Sequence, residues 1–205
     1  MISYLFIEQL FKNVLAKSTV MQGRFHVSPR YLQEINTDEF QEVIKDVVKP
    51  IAGREYPASI MLPPVSELML KDGKGEWERY RIELFFLTTT FYTGGSQVKQ
   101  PNHNTQTSTH SIQMDWHDMK RCAKDFILAL QIVGDGKPLT EFPFRLLDEK
   151  KIFEPASMLG DKKLSGVRLT FKVDIWTGCE IEDYPDGSLN DVEIPELNFH
   201  PTHKH

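Results

Sequence analysis

The sequence predicts an α+β fold in which helices pack on a mainly antiparallel sheet, with a long polar loop and an extended C-terminal arm. Three observations predict it. Two stretches near the start repeat apolar residues at helical spacing, two later stretches alternate apolar and polar residues as strands do, and a polar turn between apolar runs near residue 160 reads as a β-hairpin. The length of 205 residues fits one domain with appendages, against about 100 to 200 residues per domain. Hydrophobic residues are 40% and charged residues 26%, enough apolar side chain for a core and too much for wholesale disorder. No apolar run reaches the roughly 20 residues that a membrane-spanning helix needs.

Residues 2 to 17 place Ile2, Leu5, Phe6, Phe11, Val14 and Leu15 on one helical stripe. Asn36 or Thr37 caps a second helix carrying Phe40, Val43, Ile44, Val47 and Val48, and Pro50 ends it. Residues 56 to 62 read as a strand entered at Pro57 and closed by Pro63-Pro64, which places it at a sheet edge or stops its pairing there. Residues 78 to 92 give the clearest strand of the first half. Tyr80, Ile82, Leu84 and Phe86 share one face, while the other begins with Arg79, Arg81 and Glu83 and turns apolar at Phe85, Leu87 and Phe91.

Residues 93 to 113 are rich in Gly, Ser, Thr, Asn and Gln, with one formal charge at Lys99. A loop of that length and composition is a candidate interaction arm. Asp115 caps the next helix, whose stripe is Trp116, Met119, Ala123, Phe126, Ile127 and Leu130, and Gly134 or Gly136 ends it. Residues 137 to 149 read as linker. The hairpin follows, with strands 151 to 157 and 167 to 176 around Gly160-Asp161-Lys162-Lys163. In its second strand Val167, Leu169, Phe171, Val173 and Ile175 alternate with Arg168, Thr170, Lys172 and Asp174, so one face meets a core and the other water.

Net charge is -5, and it is placed unevenly. From residue 177 onward there are seven acids and one base, leaving 22 acids and 23 bases in residues 1 to 176. The domain at 1 to 176 is therefore near neutral and the arm at 177 to 205 acidic. No basic stripe supports sequence-specific nucleic-acid binding. The N-terminus lacks the basic region and small-residue cleavage site of a secretory signal, and two cysteines make no disulfide framework, so a cytoplasmic site of synthesis is expected.

Chemical motifs are thin. His103, His110 and His117 recur every seven residues, but a loop position for the first two would remove any geometric meaning from the spacing. Cys122 sits near an apolar helical stripe, where a small buried residue is the ordinary reading. Cys179 follows Thr177-Gly178 without a local nucleophile signature. The glycine pairs lack phosphate-loop spacing, and Glu180, Glu182, Asp183 and Asp186 lack the order of a calcium loop. No catalytic residue, metal site or cofactor is expected.

The order of elements carries more. Two helices are followed by Tyr56-Pro57-Ala58-Ser59-Ile60, the aromatic strand 80 to 92 and the helix 115 to 133. The hairpin Ile152-Phe153-Glu154-Pro155 and Leu164-Ser165-Gly166-Val167 then ends in Trp176. This arrangement over residues 1 to 176 resembles the α+β domain of tailed-phage tail terminator and tail completion proteins, including neck or tail proteins of phages infecting gut Bacteroidetes. The resemblance implies a non-enzymatic virion structural protein, assembled in the bacterial host cytoplasm. It would form a ring, a hexamer in the family, that joins the tail tube protein to the head connector.

Residues expected at interfaces are Thr93, Gln97, Lys99, Asn102, Asn104 and Gln106 in the loop, and Asp161, Lys162 and Lys163 at the hairpin tip. Tyr184, Leu189, Ile194, Leu197 and Phe199 are the corresponding positions in the arm. Two rival readings are an enzyme or ligand-binding protein using Cys179 or the loop histidines, and an assembly chaperone or adaptor whose acidic arm mimics nucleic acid.

Overall fold

A computed structural model describes residues 2–28, 57–70, 76–89, 106–135, 142–159 and 164–176. Within them two helices, α1 (Ile2–Ala16) and α2 (Gln106–Gly134), lie on one face of a seven-stranded sheet. Its strands are β1 (Phe25–Val27), β2 (Ala58–Met61), β3 (Val65–Leu70), β4 (Glu76–Thr89), β5 (Phe144–Leu146), β6 (Ile152–Leu159) and β7 (Leu164–Trp176). All pairs are antiparallel except β1 with β2. The fold is α+β, as the sequence predicts. The second predicted helix, the turn at 160–163, the end of the aromatic strand at 90–92 and the arm at 177–205 lie outside the described residues.

β4 and β7 are the spine, paired over thirteen positions from Trp77↔Trp176 to Thr89↔Leu164. Shorter strands share their outer edges. β2 and β3 both pair with β4; Met61 faces Leu84 and Val65 faces Arg81, so one extra residue sits between them at Pro63-Pro64, as in a β-bulge. The far edge of β7 is shared in the same way by β5 and β6.

The core lies between the helices and the first sheet face. Phe6, Ile7, Leu10, Phe11, Val14 and Leu15 of α1 meet Met119, Ala123, Phe126, Ala129 and Leu130 of α2, over Ile82, Leu84 and Phe86 of β4 and the odd-numbered apolar residues of β7. Phe126 is central, with ring centroids 5.2 Å from Phe11, 5.8 Å from Phe86 and 6.3 Å from Phe171. Such tilted and edge-on contacts suit the charge distribution of aromatic rings. After α1 the chain reverses through Gln22 (φ 48°) and Gly23 (φ 72°), and the Gly23 N–H donates to the Leu15 carbonyl, 3.1 Å away. Arg24 then donates to the Pro57 and Val20 carbonyls, both at 2.6 Å, tying the entry of β1 to that of β2.

Several expectations change. Leu5 points outward at 62% exposure, and Ile7 and Leu10 take the buried positions of α1, because the stripe is rotated by about one residue. β2 is no edge strand: β1 pairs with it on one side and β4 on the other, and the flanking prolines limit its length instead. The stretch read as linker contains β5, which continues the β7 edge with Phe142 and Phe144 buried below it.

The largest change is at α2. It begins at Gln106, not at Asp115, so residues 106 to 113 of the expected loop form its first two turns. No Gly or Pro interrupts residues 103 to 133, and residues such as Gln, Ser and Thr weaken a helix far less than those two do. Twenty-nine residues span about 43 Å, close to the length of β7, so the helix runs the full height of the sheet.

Candidate interaction surfaces

The described residues offer three surfaces where function can reside. The first is the sheet face turned away from the helices. The β4–β7 register sets Arg79 beside Asp174, Arg81 beside Lys172, Glu83 beside Thr170, Phe85 beside Arg168 and Leu87 beside Gly166. Alternation puts all of them on this second face, so it is charged at one end and apolar at the other.

At the charged end the ions satisfy each other. Arg79 makes a fork with Asp174, Nε to Oδ1 at 2.8 Å and Nη2 to Oδ2 at 3.1 Å, the geometry that makes arginine–carboxylate pairs specific. Asp174 is buried beneath it. Glu149, on the β5–β6 connection, reaches Lys172 at 3.0 Å and Arg79 at 3.6 Å. Arg168 donates to Glu83 at 2.6 Å and lies 3.5 Å from Glu154. Cations and carboxylates interleave, so this face is a network and not a patch of one sign.

The second surface is near the start of α2. The Trp116 indole N–H donates to the Ala156 carbonyl at 2.9 Å, fixing the helix to β6. Next to it the Asp115 Oδ2 is buried and finds no hydrogen-bond partner among the described residues. Burial, reinforced by the neighbouring Asp118 carboxylate, pushes the Asp115 carboxyl up to about 7. The residue read as a helix cap is instead inside the helix and close to half protonated near neutrality.

The third surface is the outward side of α2 near its end. Leu128 and Ile132, one turn apart, are 53% and 49% exposed, with Lys124 and Gln131 beside them also exposed. An apolar pair of this kind on a helix that otherwise turns its apolar residues inward marks a contact surface.

Of the predicted interface residues, Gln106 is the first residue of α2, and Thr93, Gln97, Lys99, Asn102, Asn104, Asp161, Lys162, Lys163, Tyr184, Leu189, Ile194, Leu197 and Phe199 lie outside the described residues. His110 joins His117 on α2, so the seven-residue spacing does carry meaning for that pair. Two helical turns separate them by roughly 10 Å, too far to share one ion. Among the described residues no group of three or more His, Cys, Asp or Glu side chains is placed to hold a metal. Cys122 is buried, and burial with the Asp118 and Asp125 carboxylates pushes its thiol up to about 12, which makes it a packing residue and a poor nucleophile. Cys179 and His103 lie outside the described residues. No described helix is long and apolar enough to cross a membrane.

The sequence missed the Leu128–Ile132 pair, although its signal was present. Ile127, Leu128, Leu130, Ile132 and Val133 are more apolar residues than one face of a helix can bury, so some had to point out. Compared with known proteins, the chain finds no significant match among protein-family models, curated proteins or solved structures.

Proposed function

We propose that this chain is a non-enzymatic structural subunit of a phage neck or tail. It assembles as a ring, a hexamer by the family resemblance, between the tail tube protein and the head connector. The observation that carries this reading is the exposed Leu128–Ile132 strip on a helix braced along its length by the sheet. A rigid helix presenting an apolar strip suits repeated contact between identical subunits. Contact of a strip with a different surface on the next copy closes into a ring when the rotation permits.

The element order supports the same reading. Two hairpins, β3–β4 and β6–β7, build a sheet spine under two helices, in the sequence order that the tail-completion resemblance requires. The polar residues before α2 and the acidic arm provide further contacts. The arm's like-signed charges favour basic surfaces on a different protein over the same arm of a neighbour.

The test has two parts. Sedimentation or light scattering of the purified chain, alone and with tail tube protein, is expected to show a closed oligomer. Mass spectrometry of purified virions is expected to detect the chain. Its absence from finished particles would refute the structural role and favour the assembly chaperone, which acts during assembly and leaves.

A further inference from the structure

We infer that residues 36–50 cover the apolar end of the second sheet face. That end consists of Ala58 and Ile60 of β2, Phe85 and Leu87 of β4, and Leu164 of β7, which the register places side by side. None is more than 5% exposed. Yet none belongs to the cluster formed with α1 and α2, which occupies the opposite face. Apolar side chains hidden to this degree need a cover on their own side of the sheet.

Topology identifies the chain that passes there. β1 and β2 are parallel neighbours, so residues 29–56 must return from the end of one to the start of the other across a face of the sheet. β4 and β5 are parallel too, each being antiparallel to β7, and α2 connects them across the first face. Both connections travel the same way along the order β1-β2-β4-β7-β5. However, β1 runs opposite to β4, because β2 is antiparallel to β4. Crossovers between parallel strands are right-handed in about 98% of cases. Reversing the strand direction while keeping the direction of travel moves a right-handed crossover to the other face. With α2 on the first face, residues 29–56 cross the second.

The composition of the segment fits the seat. Phe40, Val43, Ile44, Val47 and Val48 recur at helical spacing, with Glu42, Lys45 and Asp46 between them. Such a stripe matches an apolar patch of five side chains, while its polar side faces water. Residues 90–105 contain Phe91, Tyr92 and Val98 as their only large apolar residues. The arm's apolar residues are scattered among seven acids. Neither offers a continuous apolar face.

This inference stands whether or not the chain forms a ring. It closes the apolar end of the second face to outside partners and leaves the network from Arg79 to Lys172 as the part of that face open to contact.

The test uses the intact wild-type chain with labelled Ile, Leu and Val methyl groups. Nuclear Overhauser contacts are expected from Val43, Ile44 and Val47 methyls to those of Ile60, Leu87 and Leu164. Contacts to these three from Leu189, Ile194 or Leu197 in their place would overturn the inference in favour of the arm. Contacts seen only between differently labelled copies in a mixed sample would overturn it in favour of a second chain. No contact from residues 36–50 would overturn it outright.

Discussion

Replacing Asp115 with Asn should raise stability above neutral pH and flatten its pH dependence. In the folded chain burial holds the Asp115 carboxyl near 7, against an ordinary value of 3.8. The folded state therefore keeps a proton that the unfolded chain has lost. Its stabilising effect is full below the unfolded value and disappears as pH rises through the folded one. Full conversion of that shift gives about 4 kcal/mol, but Asp115 is only half buried, and solvent screening reduces the figure to roughly 1 to 2 kcal/mol. For a chain of this size that corresponds to several degrees of melting temperature, at about 2 to 4 °C per kcal/mol. Urea unfolding of wild type and Asp115→Asn at pH 4.5 and pH 8 measures it. The variant should match wild type at the lower pH and exceed it at the higher. Equal differences at both values would refute the reasoning, because a change in packing or helix propensity does not titrate.

Three further substitutions probe the sheet and the helix. Asp174→Ala leaves the mostly buried Arg79 guanidinium without its fork and should cost about 3 kcal/mol, read by chemical denaturation; the double change Arg79→Met with Asp174→Leu should recover most of it, because a paired burial of charge is replaced by apolar packing. Gly166→Ala should destabilise by at least about 2 kcal/mol, since a Cβ there would fall on the Phe86 carbonyl of the neighbouring strand. Leu128→Asp with Ile132→Asp should leave the melting temperature within about 1 °C, as expected of exposed positions, while dissociating any closed oligomer in sedimentation; an oligomer that survives would remove the α2 strip from the interface.

The helices and the long strands were legible because their patterns are long. β4 and β7 alternate over enough residues that the buried faces follow directly, down to the change from Arg79 and Glu83 to Phe85 and Leu87. β1, β3 and β5 were not legible. β1 and β5 have three residues each, too few for a period to show, and they exist because β2 and β7 offer them an edge. The start of α2 was misplaced for a different reason. Asp115 carries the sequence preference of a cap, and the polar residues before it resemble a loop, but sheet contacts further along stabilise the helix enough to extend it past them. The charge network was half legible: alternation put its members on one face, while the pairing of Arg79 with Asp174 needed the register.

The sheet edges bear on how copies of this body can meet. A ring built by strand addition needs a long, open edge, because backbone hydrogen bonds supply the affinity. Among the described residues the two edges are poor templates. β1 offers three residues. β6 carries Glu154 and Pro155, shifts register between Ala156 and Leu159, and has its Ala156 carbonyl engaged by Trp116. Short strands, proline, charge and irregular register are the features that keep sheets from joining edge to edge. Contact between copies is thereby directed away from the sheet edges and toward side-chain surfaces. On the described body the apolar one is the α2 strip, and the charged end of the second face is already internally paired, so it can exclude a wrong partner more readily than attract a right one. In the proposed ring the acidic arm would then extend the strip's contact over neighbouring faces, with no need to complete a neighbour's sheet.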